Sequence, residues 1–309
     1  MKIQALTGMI AVALAAVSPG MSASIPNAPA APTQLVITVL PAKGGSRPQS
    51  LEARDLMIQQ GKTRVPVVRL QRLAGDLADM QLFVLLDDSS RSFSLGNHLG
   101  ELKAFLESLP PTTQVAIGYM RNGTFGLAQA FTADHQQAAS ALRLPVAMPG
   151  ENGSPYFALS DLAKHWPSTQ STGRRTVLML TDGVDRYYGT ESIDDPFVDT
   201  AIKDALKDGV MVYSIYLRGA GLYGSSDSVT NFAQSRLMEL SQETGGYSYF
   251  QTFTDPVTIS PFLSDFEDRL DNQYQVTIDV LSQKGVQPVK VRTELPGLKI
   301  QSPTHIYVQ

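Results

Sequence analysis

The stretch LFVLLDDSSRSF, from Leu82 to Phe93, decides the fold class of this chain. Five apolar residues run without interruption into two aspartates, and serines follow at positions 89, 90 and 92. A short, uninterrupted apolar run is typical of a strand that is buried on both faces, as in a parallel sheet. Such sheets bind ligands at the carboxyl ends of their strands, which is where these oxygen-bearing side chains stand. The stretch therefore predicts a buried strand that ends in a polar site.

Beyond this strand, short apolar strands alternate with amphipathic helices. A second strongly apolar strand, TVLMLTD at positions 176–182, also ends in aspartate. The segments between the strands carry apolar residues at helical spacing, for example Leu99, Leu102 and Leu106. This alternation predicts an α/β fold with a doubly wound, mostly parallel, Rossmann-like sheet and helices on both of its faces.

At both ends of the chain the residue pattern differs from this alternation and is typical of β-strands. We predict a signal peptide over residues 1–23, a Pro/Ala-rich linker over 24–33, a β-rich part over 34–79, the α/β domain over 80–271 and a second β-rich part over 272–309. The parts 34–79 and 272–309 are expected to pair into one small β domain, which the α/β domain interrupts.

The first residues follow the order of an export signal. Lys2 precedes an apolar run around Met9 to Val17, and small residues follow near Ala23. The run is shorter than the roughly 20 residues that cross a bilayer, so the expected protein is exported, periplasmic or secreted, with no membrane span after cleavage. A short anchor that stays uncleaved is the alternative.

Composition excludes several classes of function. The chain has no cysteine, which excludes disulfides, thiolate catalysis and thiolate metal sites. Its formal net charge is -4 and it has no basic block, so a nucleic-acid partner is not expected.

The alternation of side chains after Leu86 favours Asp88 over Asp87 as a ligand at this site. In an extended stretch alternate side chains point the same way, so Asp88, Ser90 and Ser92 can present oxygens to one point. The set that begins at Asp87 ends in Arg91, which is a cation. Carboxylate and hydroxyl oxygens suit Mg²⁺, with Mn²⁺ or Ca²⁺ also possible. The alternative is that the serines only cap the following helix.

Two later positions add oxygen ligands. Asp182 ends the second apolar strand, and Ser154 stands before Pro155 at a predicted helix start. A serine before proline is also a typical N-cap, and the two roles do not exclude each other.

The segments FVLLDDSSRS, GSPYFALSDL and VLMLTDGVD, in this order and with these gaps, resemble the three metal-site loops of a von Willebrand factor type A (VWA) domain. The β-rich flanks resemble those of bacterial exported proteins that contain such a domain. The resemblance implies a metal-ion-dependent adhesion site whose ligands here are Asp88, Ser90, Ser92, Ser154 and Asp182. Ser154 stands where the family has threonine, and serine lacks the methyl group that restricts the rotamer. The resemblance also implies that an acidic side chain of a protein or matrix partner completes the coordination.

Three tyrosines are candidates for contact with the partner. Tyr187 and Tyr188 follow Asp182, and Tyr223 lies in the glycine-rich segment GAGLYG at 219–224. Aromatic residues are enriched in interface hot spots, although one of the pair can equally pack on the neighbouring helix. Asp185, Asp194 and Asp195 are expected to be solvated loop and cap residues, with an auxiliary cation site as the alternative.

The expected function is therefore recognition of a protein or matrix ligand through a divalent cation, without catalysis. A scaffold with a vestigial site that binds no metal is one alternative, and a Mg²⁺-dependent hydrolase is another. The segment GAGLYG matches G-x-G-x-x-G, but no helix follows it directly and no ribose-binding acid ends the next strand. A serine hydrolase has no support either, because no G-x-S-x-G elbow occurs and the four histidines are dispersed.

Overall fold

The computed structural model describes residues 32–42, 51–88, 92–146, 153–170, 174–189, 192, 194–218 and 226–309. The strands are β1 (Thr33–Pro41), β2 (Leu56–Gln60), β3 (Thr63–Val65), β4 (Val67–Arg72), β5 (Met80–Asp87), β6 (Thr113–Arg121), β7 (Thr124–Thr132), β8 (Arg175–Thr181), β9 (Val210–Tyr216), β10 (Ser248–Tyr249), β11 (Gln273–Ile278), β12 (Gly285–Thr293), β13 (Leu298–Gln301) and β14 (His305–Val308). The helices are α1 (Ser92–Ser108), α2 (His135–Ser140), α3 (Pro155–Lys164), α4 (Pro196–Lys207), α5 (Asp227–Glu243) and α6 (Ser260–Leu270). The predicted signal peptide and residues 24–31 of the predicted linker lie outside the described residues. Across these ranges, no helix has the length and apolar content that crossing a membrane requires.

The central sheet has the strand order β10-β9-β8-β5-β6-β7. All neighbouring strands are parallel except β7, which runs antiparallel to β6. From β5 the chain builds β6 and β7 on one side, and then crosses back to build β8, β9 and β10 on the other. This reversal places a crevice between the carboxyl ends of β5 and β8, which is the usual ligand position in such sheets.

The two faces of the sheet carry separate cores, and β5 alternates between them. Leu82, Val84 and Leu86 pack into the core that α1, α2 and α6 cover. Phe83 and Leu85 pack into the core that α3, α4 and α5 cover. Because side chains in a strand alternate between faces, consecutive residues at the end of β5 point to opposite sides of the sheet. The predicted doubly wound α/β sheet with helices on both faces is confirmed.

The two ends of the chain form antiparallel sheets together. The first has the order β13-β1-β11-β4, and the second has the order β14-β12-β2-β3. Strand β1 pairs with β11 through Leu35 and Val276, and β2 pairs with β12 through Ile58 and Val291. These strands share a third hydrophobic core. The predicted fold class, with a β part built from both flanks, is confirmed, while the residue limits proposed for each part stay predictions.

Candidate functional site at the carboxyl edge of the central sheet

Asp87 and Thr181 meet across the crevice between β5 and β8. Thr181 donates a hydrogen bond of 2.6 Å from Oγ1 to Asp87 Oδ2, and its Oγ1 accepts one of 3.0 Å from the Gly183 N–H. Both side chains are buried. Asp87 continues the parity of Phe83 and Leu85, so it faces the side of the sheet that α3 covers.

Asp88 turns to the opposite face and forms an ion pair there. Its Oδ1 lies 2.8 Å from Arg143 Nη1 and its Oδ2 lies 3.1 Å from Nη2, while the Val146 N–H donates to Oδ1 at 2.8 Å. Burial alone raises the pKa of this carboxyl, but the hydrogen bonds and charge of Arg143 outweigh burial and hold the pKa below its usual value. Asp88 is therefore an ionised, paired group.

Asp182 is paired in the same way with a different arginine. Arg186 Nη1 lies 3.3 Å from Asp182 Oδ1, and Nη2 donates a shorter bond to Oδ2. The carboxylate is fully buried and the Arg186 side chain is 12 % exposed. Burial disfavours the charged guanidinium, yet Asp182, Asp87 and Asp185 together raise its pKa above the ordinary value.

Ser154 caps a helix and also supports the loop after β8. It accepts a hydrogen bond from the Phe157 N–H as the N-cap of α3. Its hydroxyl donates to Asp185 Oδ2 at 2.5 Å, and Asp185 Oδ1 accepts from the N–H groups of Tyr187 and Tyr188 at 2.8 Å each. The expectation that Asp185 is solvated is wrong, because three donors satisfy it and it is fully buried.

A small cavity lies between Asp87 and the start of α3. Its volume is about 10 Å³, and Arg121, Gly123 and Ser154 also line it. This is the size of about one water molecule. Of the other predicted ligands, Ser92 is the first residue of α1. Ser90 lies outside the described residues, as does Tyr223.

Tyr187 and Tyr188 are exposed and pack against two phenylalanine rings. They are 65 % and 46 % exposed. The ring of Tyr187 lies 5.4 Å from that of Phe157, and the ring of Tyr188 lies 5.5 Å from that of Phe197. Phe157 and Phe197 contact each other at 4.1 Å between ring centroids and join α3 to α4. Each tyrosine thus packs on a helix residue and still presents its ring to solvent, and its contact with a partner stays a prediction.

A divalent cation needs several oxygen ligands that converge on one point. In the described part of the chain, Asp88 bonds to Arg143, Asp182 bonds to Arg186 and Ser154 bonds to Asp185. In the same part, no group of three or more His, Asp or Glu side chains is placed to hold a metal ion. Asp88 and Asp182 also each face a guanidinium, whose charge repels a cation. As placed, Asp88 and Asp182 do not fit a divalent cation; Ser90 and the side chain of Ser92 lie outside the described residues, and binding of Mg²⁺ stays a prediction.

The residues that sequence reasoning missed are Asp87, Arg143, Thr181, Asp185 and Arg186. The alternation of β5 is the signal for Asp87, because it extends the pattern of Phe83 and Leu85 by one step. The four-residue spacing from Asp182 is a weak signal for Arg186. Arg143 has no local signal, since 55 residues separate it from Asp88.

No protein-family model matches this sequence, and no curated protein matches it. Among solved structures, an aerotolerance-related membrane protein from Bacteroides fragilis is similar, with 13 % identity over 62 % of this chain and 98 % of its own, at a TM-score of 0.43. The SpRpn10 VWA domain has 13 % identity over 58 % of this chain and 96 % of its own, at 0.37. The pilus adhesin SpaC from Lactobacillus rhamnosus GG has 12 % identity over 82 % of this chain and 43 % of its own, at 0.45. Since these TM-scores are low, the fold assignment rests on the strand order of this chain. The similar structures include a domain of the family that the sequence motifs resemble.

Proposed function

We propose that this chain is an exported, VWA-type interaction module that binds a protein partner through the loops at the carboxyl edge of its central sheet. The proposal includes no catalytic step. The sequence motifs support the domain type, and the order of residues at the N-terminus supports export to the periplasm or the outside of the cell.

The observation that carries the proposal is the exposed pair Tyr187 and Tyr188. Asp185 holds the backbone of both residues, and Phe157 and Phe197 support their rings. An aromatic side chain that is already held in place buries a large area on binding and loses little conformational entropy. These two rings are therefore suited to anchor a partner.

The hydrolase alternative has less support from the chemistry of this edge. In the described ranges, no histidine hydrogen-bonds a serine hydroxyl, and His98 and His305 bond to Glu101 and Glu243 instead. An aspartate at a strand end can act as a nucleophile, and Asp88, the candidate for that role in a Mg²⁺-dependent hydrolase, is held by Arg143 at both oxygens. Turnover of phosphoester or ester substrates by the purified protein would favour the hydrolase.

A displayed library of random peptides, selected against the purified full chain, tests the proposal. Selected peptides are then measured against the wild type, Tyr187→Ala/Tyr188→Ala and the control Tyr247→Ala. Tyr247 is 40 % exposed and directly precedes β10, so it lies at the amino end of that strand and not at the carboxyl edge. We expect the double variant to lose at least about tenfold in affinity, which is a typical hot-spot loss, while the control retains its affinity. Equal binding to all three proteins, or no selected peptide, would refute the proposal.

A further inference from the structure

Arg186 occupies an unusual position for a charged side chain. Its guanidinium is almost buried and its two terminal nitrogens bond to the two oxygens of Asp182. The Arg186 N–H also donates to the Gly153 carbonyl at 3.2 Å, which ties this position to the loop before α3. The side chain is thus fixed at both its backbone and its tip.

Three buried carboxylates act on this guanidinium. Asp182 bonds to it directly, and Asp87 and Asp185 are close enough to favour its charged form. Asp87 and Asp185 each also accept a hydroxyl hydrogen bond, from Thr181 and Ser154 respectively. Burial of a carboxylate is costly unless it is hydrogen-bonded or paired with a positive charge, and Arg186 is the cation that bonds to one of the three.

The end of β5 repeats the arrangement. Asp88 is 2 % exposed, and Arg143 neutralises it through two hydrogen bonds. After both strands, β5 and β8, an arginine of the chain itself therefore supplies the positive charge next to an acidic residue that the sequence predicts as a metal ligand.

We infer that Arg186 is the permanent counter-cation of Asp182, and that Arg186 and Arg143 together make the carboxyl edge of the sheet independent of divalent metal. A guanidinium keeps its proton at every physiological pH and cannot dissociate as an ion does. Partner binding at this edge would then not respond to chelators or to changes in divalent cation concentration. The inference goes beyond the proposed function and does not depend on it, because the metal response is measured without a partner.

Thermal unfolding of the full chain tests the inference, in EDTA and in millimolar Mg²⁺, Mn²⁺ or Ca²⁺. A ligand that binds the native state must raise its Tm, so we expect no metal-dependent shift in the wild type. Arg186→Met leaves the buried Asp182 without its cation, and we expect its Tm to fall on the order of 10 °C. Asp182→Asn/Arg186→Met removes the stranded charge and should recover at least about half of that fall. Arg54→Met is the matched control, since Arg54 pairs with Glu52 at the surface and is 80 % exposed.

Two results would overturn the inference. One is a Tm of the wild type that rises with a divalent cation and no longer does so in Asp182→Asn or Asp88→Ala. The other is an Arg186→Met variant as stable as Arg54→Met.

A metal-dependent rise that appears only in Arg186→Met would support the inference, because it shows that the guanidinium excludes the ion. If Arg186→Met does not fold, calorimetric titration of the wild type with each cation decides, and detectable binding refutes metal independence. The tyrosine variants retain both arginines, so failure here is distinguishable from failure of the proposed function.

Discussion

Arg143 and Asp88 form a two-point ion pair that joins the segment after α2 to the end of β5. The two hydrogen bonds measure 2.8 and 3.1 Å. The guanidinium also lies 3.8 Å from the ring centroid of Tyr119, and the Tyr119 Oη accepts from the Arg143 N–H at 2.7 Å. Because the Asp88 side chain is 4 % exposed, it depends on this arginine to remain charged in the fold.

Removal of Arg143 is predicted to destabilise the protein more than removal of a surface arginine. Arg143→Met leaves a buried carboxylate unpaired and should lower the free energy of unfolding by about 1–3 kcal/mol. The loss is not expected to be larger, because the arginine itself is partly solvated. Arg54→Met should cost less than about 0.5 kcal/mol. Urea unfolding followed by tryptophan fluorescence measures both values. Equal costs would show that the Asp88 pair does not stabilise the fold.

The acid stability of the protein is predicted to depend on Glu101. Burial opposes ionisation of this carboxyl, but hydrogen bonds from Ser260, Thr258 and His98 hold its pKa at about 2 instead of 4.5. The folded pKa is the lower one, so this contribution is complete above about pH 4.5 and is lost as pH falls toward 2. Unfolding free energies of wild type and Glu101→Gln should therefore differ most above pH 5 and converge below pH 3. Glu107→Gln, an exposed change on the same helix, should show no such convergence.

Two glycine substitutions are predicted to have opposite effects. A Cβ atom at Gly246 would lie 1.9 Å from the Val212 carbonyl oxygen, so Gly246→Ala must displace backbone of β9. We expect a loss of at least about 3 kcal/mol, as in other severe steric changes. Gly100 lies within α1 and has open space around it, so Gly100→Ala should stabilise by about 0.5–1 kcal/mol. Chemical unfolding of both variants is the measurement, and a tolerated Gly246→Ala would contradict the close strand approach.

Gln81 is predicted to stabilise the single tryptophan of the chain. The Trp166 Nε1–H donates to Gln81 Oε1 at 2.8 Å, and Gln81 Nε2 donates to the Ser168 hydroxyl at 2.6 Å. Gln81→Met leaves the buried indole N–H without an acceptor and should cost about 1–3 kcal/mol. The emission maximum of Trp166 and the urea midpoint report the effect, with the exposed Gln283→Met as control. An unchanged midpoint in Gln81→Met would mean that water replaces the amide without loss.

The sequence by itself determined the layers of the fold. The apolar strands that end at Asp87 and Thr181 are local patterns, and so is the helical spacing of Leu99, Leu102 and Leu106 in α1. Each pattern states which faces of its own element must be buried, and alternating buried strands and amphipathic helices have few ways to pack. The capping role of Ser154 was readable for the same reason, since an N-cap involves residues close in the chain.

The tertiary structure decided the chemistry of the site. Parity showed that Asp87 and Asp88 face opposite sides, but only the packed helices show that Ser154 lies on the side of Asp87 and Arg143 on that of Asp88. Asp185 looked solvated because its hydroxyl donor, Ser154, is 31 residues away in the chain. A buried charge is stabilised by whichever partner the fold brings within hydrogen-bond distance, and chain separation carries little information about that partner. For this reason the sequence located the acidic edge of the sheet, and only the fold showed that arginines neutralise it.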